Sequence, residues 1–328
     1  MNFTRPLTIL PILSKSDKKI GRVEAELILA HVTNKDRAYI LAHPDGKINW
    51  LQRIKFNHLI RQRQKGVPLA YLTGHKEFFG LDFFVNKNVL VPRPETEILV
   101  ESAIEIIFNL QSSVTLIDVG TGSGCIPIAI NKTLQQLNTA TNKQTGITTH
   151  AIDISHRALR VVKKNAKKHN VKINFHQGNL IEPIAKSSIF NLQSSLIITA
   201  NLPYLTQKQF DDEKSIQKEP KLALVADNKN GLSLYEKLLT QITTHLSCHP
   251  ELHAMPHGRR VSGSLSNYQT AGDSDCCRDN KRVTILLEIN PSQTTDIRAL
   301  VKNIFPSAKI EIKKDLAGHD RVVTVSFP

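Results

Sequence analysis

The segment SLIITANLPYLT, residues 195–206, ends an apolar run on a polar amide, a proline and an aromatic ring. Such groups at the end of a strand build a poor core, but they suit a site that grips a planar –NH2 group. The nitrogen of such a group is a weak nucleophile because its lone pair is delocalised. A site that alkylates it must accept its N–H hydrogens and hold it in line with the electrophile. The side-chain oxygen of Asn201 is one neutral acceptor, and the backbone carbonyl of Leu202 is a second. Pro203 stiffens the turn that aims this carbonyl. Tyr204 offers a flat face to a planar amide or to an amino-bearing base. Taken alone, the same four residues are also a plain β-turn after a strand.

A second stretch, LIDVGTGSGCIPIAI (116–130), runs strand, glycine loop, helix. Gly120, Gly122 and Gly124, with Thr121 and Ser123 between them, let the chain turn tightly and let a ligand approach the backbone. A dinucleotide fingerprint would need glycine at position 125, which is Cys125, and the Gly-Lys-Ser/Thr ending of a phosphate loop is absent. The remaining common tenant of this geometry is S-adenosylmethionine, which has no pyrophosphate. The next strand ends in Asp153, where a carboxylate can accept hydrogen bonds from both ribose hydroxyls. Asp153 could instead cap the following helix, but Ser155 is the more natural cap and frees the carboxylate for a ligand. After a third strand, QGNLIEP places Asn179 and Leu180 where they could bound an adenine ring.

These groups need elements to hold them. Residues 1–75 read as short helices. One carries a stripe of Val23, Leu27 and Ala30, and another, after the HPDG turn, runs through INWLQRIKFNHLIRQRQKG to Gly66. Residues 76–95, KEFFGLDFFVNKNVLVPRPE, are aromatic and alternating, which predicts a β-hairpin linker with NKN as its turn and Pro92 and Pro94 as its close. From residue 96 onward helical and strand patterns alternate, which predicts an α/β fold with a mostly parallel sheet covered on both faces. Ligands in such sheets gather at the carboxyl ends of the strands. AKIEIKKD and RVVTVSF are expected as edge strands, and LNTATNKQTGI (137–147) as a polar loop.

Residues 247–281 lack periodicity and read as a flexible insertion. They hold Cys248, Cys276 and Cys277 with His249, His253 and His257, but the vicinal cysteines lack zinc-knuckle spacing, so no metal is expected. Lys and Arg outnumber Asp and Glu by 43 to 29, a net charge of +14 that favours polyanionic surroundings. The densest run, RALRVVKKNAKKHNVK, reads as the solvated face of an amphipathic helix. No apolar run approaches the roughly 18–20 residues of a membrane span. The N-terminal LTILPILSKSDKK is too short and too broken for a signal peptide, so a cytoplasmic location is expected.

A G-x-G-x-G loop, an acid closing the second strand and Asn-x-Pro-Tyr after the fourth form the layout of amino-group methyltransferases. The chain resembles the peptide chain release factor N5-glutamine methyltransferases, the PrmC/HemK family. The likeness lies in PLAYLTGHKEFFGLDFFVNKNVLVPRPETEILV, DVGTGSGCIPIAI, AIDIS, NLPY, LLEI and DLAGHDRVV, and it covers nearly the whole chain. It implies a Rossmann-like class I SAM-dependent methyltransferase domain over 96–328, with a small N-terminal helical domain over 1–75 that docks the substrate. It further implies that S-adenosylmethionine is held by Gly120 to Gly124 with Asp153, Asn179, Leu180 and Asn201. By the same likeness Asn201, Leu202, Pro203 and Tyr204 hold the glutamine of the release factor's Gly-Gly-Gln loop, and Asn201, Pro203 and Tyr204 carry catalysis. Pro94, Glu95 and Thr96 are expected to line the cleft beside them. No metal is needed, nucleic acid is not required, and the protein is expected to be a monomer.

The chain departs from the family pattern twice. Leu202 stands where the family usually has proline, and a long insertion replaces a compact Gly-Gly turn before VTILLEI. Two other readings use the same residues. An N6-adenine methyltransferase would grip an exocyclic amine with Asn-x-Pro-Tyr. A SAM-binding protein without catalysis could serve translation as a binding partner.

Overall fold

The computed structural model describes residues 7–327 apart from 111, 142–145, 186, 188, 190–193, 227–229 and 246–281. The insertion expected at 247–281 therefore lies outside the described residues. Among the described residues no helix is long and apolar enough to cross a membrane.

The N-terminal part contains helices α1 (Ile9–Ile20), α2 (Arg22–Thr33), α3 (Arg37–Ala42), α4 (Trp50–Gln64) and α5 (Leu69–Thr73). A small antiparallel pair, β1 (Leu7–Thr8) with β2 (Lys47–Ile48), closes it. Asn49 and Gln52 form a reciprocal capping box that starts α4. Ile28, Leu29, Phe56 and Ile60 are buried at its centre. The expected stripe on α2 holds only in part: Ala30 is buried, but Val23 and Leu27 are exposed, and Ala25, Ile28, Leu29 and Val32 also face the core. This helix carries apolar side chains nearly all round, so spacing alone does not select the buried face. Buried Glu26 receives hydrogen bonds from Arg22 (2.6 Å) and Arg37 (2.9 Å).

The hairpin follows as β3 (His75–Phe78) and β4 (Leu81–Phe84). It turns at Phe79 and Gly80, which both have positive φ (53° and 69°), and not at Asn86–Asn88 as the polar NKN suggests. Two carboxylates hold this turn. Glu97 Oε1 accepts the Phe79 N–H (2.9 Å) and Glu77 Oε1 the Gly80 N–H (2.7 Å). A phenylalanine at positive φ is rare enough that turn chemistry alone does not reveal it.

The remaining elements are α6 (Glu97–Asn109), β5 (Val114–Val119), α7 (Cys125–Thr141), β6 (Ile147–Asp153), α8 (His156–His169), β7 (Asn174–Gln177) and β8 (Ser195–Ala200). They continue through α9 (Gln207–Asp212), α10 (Ser233–His245), β9 (Val283–Glu288), α11 (Thr294–Ile304), β10 (Lys309–Lys314) and β11 (Asp320–Ser326). Helix α7 runs through Thr141 and takes in the first residues of the expected polar loop. The seven-stranded sheet has the order β10-β11-β9-β8-β5-β6-β7. Strands β5 to β9 are mutually parallel, and β11 pairs antiparallel with both β9 and β10. Only β10 of the last two strands is thus an edge, because β11 inserts between it and β9.

Alternation along each strand divides the core. Leu116, Ile197 and Leu286 join one buried cluster with α6, α7 and α8. Ile117, Ile198, Ile285 and Leu287 join another with α10 and α11. From central β5 the chain proceeds to β6 on one side and later to β8 on the other. That reversal opens a crevice at the carboxyl ends of the strands.

Candidate active site

A cavity of about 210 Å³ occupies that crevice. The glycine loop forms its floor. The N–H groups of Gly120 and Thr121 both donate to Ile152 O (2.9 and 3.0 Å), which ties the loop to β6. Gly124, at φ +79°, could not be alanine without a clash, since an added Cβ would lie 2.3 Å from Val162 Cγ2 on α8. The loop is tight because a helix packs directly against it.

Asp153 lines the cavity, but it is less free than the sequence suggests. Its Oδ2 accepts the Gly122 N–H (2.9 Å) and its Oδ1 the Ser155 N–H (2.8 Å). Ser155 does cap α8, accepting from Ala158 N (3.3 Å). Each carboxylate oxygen keeps lone-pair capacity for a further donor, so Asp153 can brace the loop and meet a ligand together. Burial raises its pKa, against the two backbone hydrogen bonds. Asn179 and Leu180 also line the cavity. Leu180 is buried at φ +52°, and Asn179 Nδ2 donates to Glu182 Oε1 (3.0 Å).

Across the cavity stand Asn201, Leu202 and Pro203 at the end of β8. Asn201 Nδ2 donates to Thr96 Oγ1 at 3.1 Å. The Leu202 N–H donates to Tyr235 Oη (3.2 Å), whose own hydroxyl donates to the backbone oxygen of Glu288. Gln293 Nε2 holds the far side of the turn, donating to Tyr204 O (3.2 Å) and Asn230 O (2.7 Å). Tyr204 itself is not part of the lining. Its ring packs on the core cluster beside α10 and α11, and burial pushes its phenol well above the ordinary value. Of Pro94, Glu95 and Thr96, only Thr96 reaches the lining, because the three form a tight turn at the foot of α6. Buried Glu219 accepts the Val91 N–H (3.0 Å) and an Arg93 Nη2 hydrogen bond, so the segment carrying Pro220 and Leu222 closes a wall.

Two buried acids near the site escape motif reading. Asp118 accepts from Thr199 Oγ1 (2.7 Å), and burial pushes it up to about 7. Glu288 at the end of β9 is likewise pushed up to about 7 by burial. Their signal in the sequence was an acid inside an otherwise apolar strand, as in LIDVG and LLEIN. Among the described residues no group of three or more His, Cys, Asp or Glu is placed to hold a metal ion.

The donor set fits S-adenosylmethionine. The lining combines loop backbone, one carboxylate, apolar walls from Leu180 and Ala158, and a buried Thr121 hydroxyl that lacks a partner among the described residues. Among the described residues its lining holds no lysine, and the arginine in it, Arg93, is paired with Glu219. A doubly wound sheet with a glycine turn after its central strand, an acid after the next and Asn-x-Pro-Tyr after β8 defines a methyltransferase of the α/β class. Residues 110–284 match the model of a methyltransferase domain, and residues 12–74 match that of the PrmC N-terminal domain. The release factor glutamine methyltransferase of Dictyoglomus turgidum (strain DSM 6724 / Z-1310) is 32% identical over 306 residues, 92% of this chain and 90% of that protein. The release factor glutamine methyltransferase of Bacillus subtilis (strain 168) is 29% identical over 310 residues, covering 92% and 91%. The chain belongs to the release factor glutamine methyltransferase family.

Proposed function

We propose that this protein methylates the side-chain amide nitrogen of the glutamine in the Gly-Gly-Gln loop of peptide chain release factors, using S-adenosylmethionine. The observation that carries this reading is the shared cavity: the glycine loop and Asp153 form one end, and Asn201 with the Leu202 backbone forms the other. S-adenosylmethionine supplies an electrophilic methyl on a sulfonium sulfur. With it bound, the amide nitrogen would take the methyl as the C–S pair stays on sulfur, and would give one proton to solvent.

The protein's part is positioning. Asn201 Oδ1 and the Leu202 carbonyl accept the two amide hydrogens, and both strengthen as positive charge builds on nitrogen. Asp153, Asn179 and Leu180 hold the nucleoside end, and the loop from Gly120 to Gly124 holds the remainder. The N-terminal helices, residues 1–75, dock the release factor. Their exposed Trp50, Leu51 and Ile54 supply apolar surface for that purpose.

The test is incubation of the purified protein with labelled S-adenosylmethionine and either intact release factor or duplex DNA, followed by mass mapping. Label on the loop glutamine is the expected result. Label on adenine and none on release factor would replace this reading by the nucleic-acid one.

A further inference from the structure

Helix α8 divides cleanly between a core face and a solvent face. Ala158, Leu159, Val161, Val162, Asn165 and Ala166 are buried. Every exposed position from 157 to 168 carries a cation: Arg157, Arg160, Lys163, Lys164, Lys167 and Lys168. At 3.6 residues per turn these six fill one arc of about 140°, with no carboxylate and no exposed apolar side chain among them. Asp153 is the only acid between residues 119 and 181, and it is buried.

Lys168 is paired with Asp82 of the hairpin. Arg157, Arg160, Lys163, Lys164 and Lys167 have no carboxylate partner among the described residues. Lys164 Nζ lies 3.3 Å over the Phe84 ring, and Lys163 Nζ 5.6 Å over that of Phe175. An aromatic face holds an ammonium in place without neutralising it. Like charges three and four positions apart on a helix repel, and carboxylates on the same face would relieve this. On α8 the pairs Arg160–Lys163, Arg160–Lys164 and Lys163–Lys167 go unrelieved. An external polyanion relieves all of them together.

The chemistry of the face selects among polyanions. An anionic membrane takes an amphipathic helix by its apolar side, and that side of α8 is packed in the core. A protein interface centres on aromatic or aliphatic anchors and disfavours lysine, whereas this face is mostly lysine and has no anchor. A phosphate backbone asks only for closely spaced, mobile cations. We propose that the exposed face of α8 is a docking surface for RNA, held through its phosphates without reading of sequence. The choice of RNA among polyphosphates rests on the proposed function, since a release factor acts in translation.

The test measures binding of a fluorescein-labelled single-stranded RNA of about 20 nucleotides to the full-length protein, between about 50 and 200 mM salt. Arg160→Gln with Lys163→Gln and Lys167→Gln is expected to weaken binding about tenfold or more at the low end. The same variant should cut the slope of log affinity against log salt by about 2, at roughly 0.7 per lost phosphate contact. A control removes equal charge from exposed positions on other helices, as Lys18→Gln with Lys237→Gln and Arg298→Gln. It should keep affinity within about twofold, because charges beyond a Debye length are screened. Melting curves check that both variants are folded.

Absence of RNA binding by the wild type, or an equal loss in both variants, overturns the proposal. Preference for a DNA duplex of the same length overturns it too. So does a raised KM for release factor in the α8 variant with RNA binding unchanged, which would give the face to the protein substrate. RNA binding that is lost with the α8 cations, in a wild type that transfers no methyl to release factor, upholds the docking surface and sinks the substrate reading alone.

Discussion

Asn201 and Leu202 divide the work at the residue scale. On the proposed reading, removing the Asn201 amide leaves a substrate N–H unpaired, which costs about 1–3 kcal/mol. If this cost falls in the transition state, Asn201→Ala lowers kcat about 10- to 100-fold, read by single-turnover transfer at saturating S-adenosylmethionine. Leu202 supplies a backbone carbonyl, which proline would supply equally. The structure adds what spacing could not show: the Leu202 N–H donates to Tyr235 Oη. Leu202→Pro gains about 0.4–1 kcal/mol from a stiffer unfolded chain and loses a hydrogen bond worth about 0.5–1.5 kcal/mol. Urea unfolding should therefore show a change within about 1 kcal/mol, with transfer activity within a few-fold of wild type.

At the scale of elements, the cavity depends on side chains that join segments far apart in sequence. Asn165 on α8 is fully buried, and its Oδ1 accepts the Phe84 N–H at 2.8 Å. Its Nδ2 donates to Phe84 O (2.9 Å) and to Ser123 O (2.8 Å). One amide thus fastens hairpin, helix and glycine loop together. Asn165→Ala strands several buried backbone groups, each worth about 1–3 kcal/mol, and should destabilise the protein by about 3 kcal/mol or more. Differential scanning calorimetry would measure this. Calorimetric titration on the folded variant should show weaker S-adenosylmethionine binding, because the loop loses its anchor to α8.

For the molecule as a whole, pH enters through buried acids. Asp118 is pushed up to about 7 in the fold from an ordinary 3.8. Between those values the folded protein keeps a proton that the unfolded chain has released, so stability falls as pH rises from about 4 to about 7 and is level above. The effect is on the order of 2–4 kcal/mol. Asp118→Asn, which keeps an acceptor for Thr199, should show a smaller fall in urea-unfolding free energy over this range. Glu288 retains its own share. His150 and His176, lowered by burial, act in the opposite sense as pH falls through 6.5, and they are common to both proteins. Partner docking is tested at the same scale on the exposed α4 face. Trp50→Ser with Ile54→Ser should raise KM for intact release factor about 10- to 30-fold, since an aromatic anchor is worth about 2 kcal/mol. Affinity for S-adenosylmethionine should not change, and steady-state kinetics with calorimetry would separate the two.

The sequence by itself determined the alternation of helix and strand, the glycine turn, the acid closing β6 and the polar turn after β8. Each is a local property, written in side-chain period, backbone freedom or capping chemistry. Tertiary structure alone decided what depends on contacts between distant segments. It put β11 inside the sheet and buried a face of α2 that takes in Ala30 but leaves Val23 and Leu27 out. It drew Asp153 into bracing the loop, and it left Tyr204, Pro94 and Glu95 off the cavity wall. Asn165 and Glu219 gain their roles only when Phe84 and Val91, 81 and 128 positions away, are folded against them. Pattern along a chain reports what a segment can form. Which buried polar groups meet is settled by packing, because a donor and an acceptor pair by distance in space and not in sequence.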